Sequence, residues 1–181
     1  MLRRRDDFRL AARYVAWAFS EVPGVEKVVL FGSAAVPLRK EVPRFRDFRR
    51  AGIEVWHECK DVDLAVWMTE TGGLRSLQEA RAAGLNSLLR DRSVGVAHHQ
   101  VDVFLFDSHT GRYVGRLCTF NACPKGKPEC LVPGCGEIPF LRRHEGFTFP
   151  PDVLDPDRCR VLFDREKGTG FFSRFGGPTA L

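Results

Sequence analysis

Asp61-Val62-Asp63-Leu64-Ala65-Val66-Trp67-Met68 is the stretch from which the rest of the chain can be read. Beyond Asp63 it is wholly apolar, it is short, and Gly72-Gly73 punctuate the chain soon after, which together describe a buried strand. On a strand, residues i and i+2 point to one face, so Asp61 and Asp63 project together from its N-terminal edge. Two carboxylates this close raise one another's pKa, an unfavourable arrangement unless something neutralises them. A divalent cation does so, and Mg²⁺ takes hard oxygen ligands while leaving positions open for substrate phosphates. The plainer alternative is that both acids merely flank the strand.

Upstream, Glu26 to Phe31 (EKVVLF) reads as another buried strand, ended by Gly32-Ser33. Before it, Leu10, Ala11, Tyr14, Val15, Trp17, Ala18 and Phe19 recur at spacings of three and four, predicting an amphipathic helix over 2–20. Arg3, Arg9 and Arg13 fall on its outer side, and Pro23-Gly24 stop it. Ala34 to Val36 begins a helical turn that Pro37 cuts short. Downstream, Leu74, Leu77, Leu85, Leu88 and Leu89 describe a second amphipathic helix, and Val101 to Phe106 a third strand. Asp102 sits in that third apolar run as a third carboxylate. The order helix, strand, insertion, strand, helix, strand predicts an α/β or α+β sheet domain ending near Asp107.

Gly32-Ser33 gives the acids a context. A strand that ends in Gly-Ser before a helical turn offers backbone N–H groups and a hydroxyl to a phosphate, because glycine permits close approach. With Phe31-Gly32-Ser33, Asp61-Val62-Asp63 and Asp102 in this order, residues 20–107 resemble the nucleotidyltransferase superfamily with a DNA polymerase beta-like fold. The likeness is greatest to its small bacterial minimal members, distant relatives of kanamycin nucleotidyltransferase. The resemblance implies an α+β fold with a mixed sheet flanked by helices. It also implies that Gly32 and Ser33 hold a nucleoside triphosphate, that Asp61 and Asp63 bind catalytic Mg²⁺, and that Asp102 is a shared metal ligand or the base for the acceptor hydroxyl. The implied reaction is in-line attack of an acceptor (a protein side chain, an RNA end or a small molecule) on the α-phosphate, with pyrophosphate leaving.

The chain departs from the family pattern in two respects. Ser33 continues as Ala34-Ala35-Val36-Pro37 with no Arg-Gly, and residues 34–60 separate it from Asp61. Within this span the basic insertion 37–60 carries Arg39, Lys40, Arg44, Arg46, Arg49 and Arg50 among Phe45, Phe48 and Trp56. Lys60 replaces the usual Ser before the acids and is a candidate nucleotide contact, as are Arg39 and Lys40. The aromatics either stack bases or anchor the insertion, which is expected to be loop-rich with one short hairpin at most.

A Cys-, Pro- and Gly-rich segment follows. Cys118-x4-Cys123-x6-Cys130-x4-Cys135 supplies four thiolates suited to tetrahedral, structural Zn²⁺, with reduced buried thiols or disulfides as the alternative. His144 is the substitute ligand should Cys118 point into the core, and Lys125, Lys127, Arg142 and Arg143 are candidate nucleic-acid contacts. Residues 160–164 (RVLFD) read as one more strand. The expected organisation is a nucleotidyltransferase-like domain over 1–110, a zinc-ribbon-like module over 111–149 and an extension over 150–181.

Composition narrows the rest. The 181 residues carry a net charge of +5, but residues 1–50 hold 12 Lys+Arg against 6 Asp+Glu, so the positive excess lies in the N-terminal third. Such a balance suits a phosphate-bearing partner, and an inactive nucleotidyltransferase-like module that holds nucleic acid with a structural zinc is the alternative function. No run of eighteen apolar residues occurs, and the basic start lacks an apolar stretch and cleavage site, so a cytoplasmic protein without membrane contact is expected. His98 and His99, just before the third strand, are read as loop residues, with His99 near enough to Asp102 for acceptor or nucleotide contact.

Overall fold

The computed structural model describes residues 2–36, 46–53, 59–121, 135–143 and 146–170. Leu2–Ser20 forms α1, Val25–Phe31 forms β1, Gly32–Ala35 is a single turn, α2, and Arg46–Arg50 is another, α3. Val62–Met68 forms β2, Leu74–Arg92 forms α4 and Val101–Asp107 forms β3. Tyr113–Leu117 (β4), Leu141–Arg142 (β5), Arg160–Asp164 (β6) and Thr169–Gly170 (β7) complete the strands among the described residues. In the insertion, the described part is the α3 turn and not a hairpin; Arg39, Lys40, Arg44, Phe45, Trp56 and His57 lie outside the described residues.

All seven strands join one mixed sheet in the order β5-β4-β3-β2-β1-β6-β7. β2 lies antiparallel to β1 and parallel to β3. A parallel neighbour needs a crossover, and α4 supplies it. The sheet does not stop at Asp107. β4 pairs antiparallel with β3, and β6 pairs antiparallel with β1, so residues well past 110 close both edges of the central three strands. An unpaired edge beside β1 or β3 would leave a row of backbone donors and acceptors open, and these later strands satisfy it.

Strand alternation divides the apolar residues into two layers. Val28, Leu30, Val62, Leu64, Val66, Val101, Val103 and Leu105 face α1 and α4, and with Phe8, Ala12, Val15, Phe19, Leu77 and Leu88 they form the larger, mainly aliphatic core. The two helices approach closely because residue 84 is glycine: a Cβ there would lie 2.8 Å from the Tyr14 carbonyl oxygen. Val29, Phe31, Ala65, Phe104 and Phe106 face the other way and pack with Trp67, Tyr113, Phe149, Val153 and Leu154. That layer is aromatic, with Phe31, Phe104 and Phe106 each meeting Phe149 edge-on at centroid distances of 5.4, 5.6 and 5.0 Å. No helix among the described residues is long and apolar enough to cross a membrane.

Candidate carboxylate site

Asp63 pairs in register with Phe31 on one side and with Asp102 on the other. Adjacent strands lie about 4.8 Å apart, so the parallel β2–β3 pair sets two carboxylate-bearing residues next to each other at one end of the sheet. By alternation both belong to the aromatic face, the one that α1 and α4 do not cover. Asp61, two residues ahead of Asp63, is exposed just before β2 begins.

Gly32 closes the third side. It follows Phe31, and its φ of +71° is a left-handed conformation that glycine adopts freely. A Cβ on it would lie 2.3 Å from Asp63 Oδ2, so the Gly-Ser turn meets the carboxylate backbone-first. Ser33, one residue on, is half-buried and hydrogen-bonds the Cys59 thiol. Cys59 itself is buried and donates to the Asp61 carbonyl oxygen at 3.6 Å. Burial, then the Asp63 carboxylate, pushes its thiol pKa up, while the Ser33 bond pulls it down. Lys60 is exposed.

The α2 turn is held by arginines. Its last carbonyl groups have no partners within so short a helix. Arg9 of α1 donates from Nε to the Ala34 carbonyl oxygen at 2.8 Å and from Nη2 to that of Ala35 at 3.0 Å. Arg160 of β6 adds a bond from Nε to the Ala35 carbonyl oxygen at 3.2 Å. Arg9, expected on the outer side of its helix, is thus turned inward onto the turn that follows β1. Burial, and then the neighbouring Arg5 and Arg160, lower its pKa.

Electrostatically the site is strained toward protonation. Burial first, then Asp102 and Asp61, raise the Asp63 carboxyl pKa to about 6, with Arg116 acting the other way. Arg116, on β4 opposite Phe104, forms an ion pair with Asp102 and lies 4.7 Å from the Phe104 ring centroid. Sequence reading passed over Arg116, although a single charge inside a strand is the same signal that singled out Asp102. Among the described residues, no group of three or more His, Cys, Asp or Glu side chains is gathered so as to hold a metal ion. The Asp102 carboxylate is engaged by Arg116 instead.

At the far edge, Cys118 follows β4 and Cys135 precedes β5, both as free, partly exposed thiols. β4 and β5 are paired, and the Cys118 N–H donates to the Phe140 carbonyl oxygen at 2.6 Å, so the two ends of this Cys-rich segment are drawn together. Cys123, Cys130, His144, Lys125 and Lys127 lie outside the described residues. His98 and His99 form a short 3₁₀ turn before β3 and line a cleft with Asp102.

The chain matches no protein-family model, no curated protein and no solved structure.

Proposed function

We propose that this protein is a Mg²⁺-dependent nucleotidyltransferase that moves a nucleoside monophosphate from an NTP to an acceptor and releases pyrophosphate. One observation carries the reading: Asp63 and Asp102 in register on parallel neighbouring strands, with Gly32 set against Asp63. The donor chemistry supports it. Asp61, Asp63 and Asp102 offer hard carboxylate oxygens that would hold Mg²⁺, and burial beside two other acids, which raises the Asp63 pKa, is an environment that a cation would relieve. Bound there, the cation would supply charge neutralisation for the entering and leaving oxygens of the phosphoryl group. The chain's own groups do the positioning. The Gly32 and Ser33 backbone and the Ser33 hydroxyl receive the triphosphate, a task for which α2 is braced by Arg9 and Arg160. Asp102 accepts the acceptor's hydroxyl proton or orients that hydroxyl, and it gives up its pairing with Arg116 to do so.

Structural Zn²⁺ on Cys118, Cys123, Cys130 and Cys135 belongs to the same proposal. Its support is the chemistry of four thiolates in one short segment whose flanking strands, β4 and β5, are paired.

A second reading has its own observation. With Asp102 paired to Arg116 and the Ser33 hydroxyl engaged by the Cys59 thiol, two groups that a substrate would need are already occupied within the chain, which suits an inactive domain that holds nucleic acid through its arginines. Titrating the four NTPs with Mg²⁺ into the wild type and Asp63→Asn separates the two. Metal-dependent NTP binding that the substitution abolishes supports the transferase. A folded protein that ignores every NTP yet binds an oligonucleotide with steep salt dependence supports the second reading.

A further inference from the structure

A cleft of about 190 Å³ opens at the β3–β4–β5 end of the sheet, beside the carboxylate site and sharing Asp102 with it. Arg81, Arg116 and Arg142 line it with His98 and His99. Arg81 is the unusual member. It projects from α4 at only 3% exposure, donates from Nη1 to the Val101 carbonyl oxygen at 3.1 Å, and its buried Nε has no hydrogen-bond partner among the described residues. Arg142, on β5, likewise has a buried Nε without a partner among them. A guanidinium held this deep is unfavourable unless it is paired, because burial removes its hydration. Burial accordingly lowers the Arg81 pKa, with Asp102 opposing that shift ahead of Cys118.

Three guanidiniums face one carboxylate, Asp102, which is already paired with Arg116. The arginines and Asp102 thus leave an excess of two positive charges, and burial together with Arg81 depresses His98 protonation. The ligand that answers two charges and planar guanidinium forks is a tetrahedral dianion. We propose that this cleft is a binding site for a phosphomonoester dianion, and that the phosphate belongs to the acceptor. The first half stands on the arginine cluster alone. The second rests on the nucleotidyl-transfer reading, because it uses the common wall at Asp102 to bring an acceptor hydroxyl toward the carboxylate site.

The test is a calorimetric titration of inorganic phosphate into the full chain in EDTA, so that no metal at the carboxylates contributes. Binding in about the millimolar range or tighter is expected, weakened about tenfold or more in Arg142→Gln. Arg81→Gln is expected to lose binding as well; because Arg81 is buried and bonded to Val101, Arg142→Gln keeps the test decisive should Arg81→Gln not fold. No phosphate binding by the folded wild type, or undiminished binding by Arg142→Gln, overturns the site. Glycerol phosphate and a 5′-phosphorylated oligonucleotide are then compared as competitors. Displacement of inorganic phosphate by either supports the site and names the source; displacement by neither overturns the phosphomonoester assignment. Phosphate binding without any Mg²⁺–NTP binding would remove the transferase reading and with it the acceptor role while leaving the phosphate site, and Mg²⁺–NTP binding without phosphate binding would remove this cleft alone.

Discussion

Leu64 and Asp63 are neighbours in sequence and lie on opposite faces of the same strand, and the two faces obey different rules. Leu64 belongs to the layer sealed by α1 and α4, where it is fully buried among aliphatic side chains. Asp63 belongs to the layer whose aromatic cover, Phe149 with Val153 and Leu154, reaches Phe31, Phe104 and Phe106. Asp63 and Asp102 stand at the strand starts of that face, where acids replace apolar residues. One face is mainly aliphatic, and the other adds to its aromatic core a carboxylate, Asp63, that the fold holds under strain toward protonation. Function is expected where the covering layer ends, because only there can a buried-sheet carboxylate meet a ligand.

The sharpest way to break this comparison is to alter the two neighbours separately. Leu64→Ala removes buried methyl groups from a close-packed layer and is expected to lower stability by about 2–5 kcal/mol, read as a lower urea midpoint. Asp63→Asn is expected to act in the opposite direction. The folded carboxyl pKa is about 6 against an ordinary 3.8. The folded state therefore binds the proton more tightly than the unfolded chain, so without metal its stability falls as pH rises from about 4 to about 6. Above that window the full penalty, up to about 3 kcal/mol, is present, and Asp63→Asn should relieve most of it at pH 7. Equal urea midpoints for wild type and Asp63→Asn at pH 7 would show that the carboxylate is not under strain. Added Mg²⁺ should stabilise the wild type more than the variant, if the acids bind it as proposed.

Gly32→Ala tests the junction between the layers and has the next largest effect. A left-handed φ is unfavourable for alanine, and its Cβ would enter the space of Asp63 Oδ2, so a loss of about 1–3 kcal/mol is expected. Moving the Asp63 side chain away should also lower its pKa toward the ordinary range. An NMR titration of the Asp63 carboxyl that still centres near 6 in the alanine variant would contradict the close approach.

The two layers were not equally legible. Periodicity located α1, β1, β2, α4 and β3, because burial on the helix side imposes a regular spacing on Leu, Val and Ala. Alternation also put Asp61 and Asp63 on one side of their strand, and the apolar setting of Asp102 marked it. What periodicity could not supply was partnership. Nothing in RVLFD says that residues 160–164 pair with β1, or in YVGRL that residues 113–117 pair with β3, since edge pairing is decided by which backbone groups remain open after the core assembles. For the same reason periodicity puts Arg9 on the outer side of its helix and passes over Arg81 and Arg116. Arg116, Arg81 and Arg9 look like surface charges in a chain rich in arginine, and only the folded backbone shows one on Asp102 and two on main-chain carbonyls.

Arg9 makes the smallest of these predictions and the most local. Its bonds to the Ala34 and Ala35 carbonyl oxygens run from the helical layer to the turn that abuts Asp63, so it links the two regimes. Arg9→Gln removes a charged donor from part-buried acceptors. Because Arg160 still reaches Ala35, the expected loss of global stability is only about 1 kcal/mol. The local effect should be larger. The Val36 N–H, which closes α2 on the Gly32 carbonyl oxygen at 3.2 Å, should exchange with solvent faster in the variant, while amides in β2 and β3 keep their protection. Unchanged exchange at Val36 would mean that α2 is held by its own packing, with Ala34 and Ala35 already fully buried, and that Arg9 contributes nothing to the turn. Faster exchange confined to α2 would mean that the Gly-Ser turn can be loosened without touching the core, which is the property a phosphate-receiving turn would need if it must adjust to its ligand.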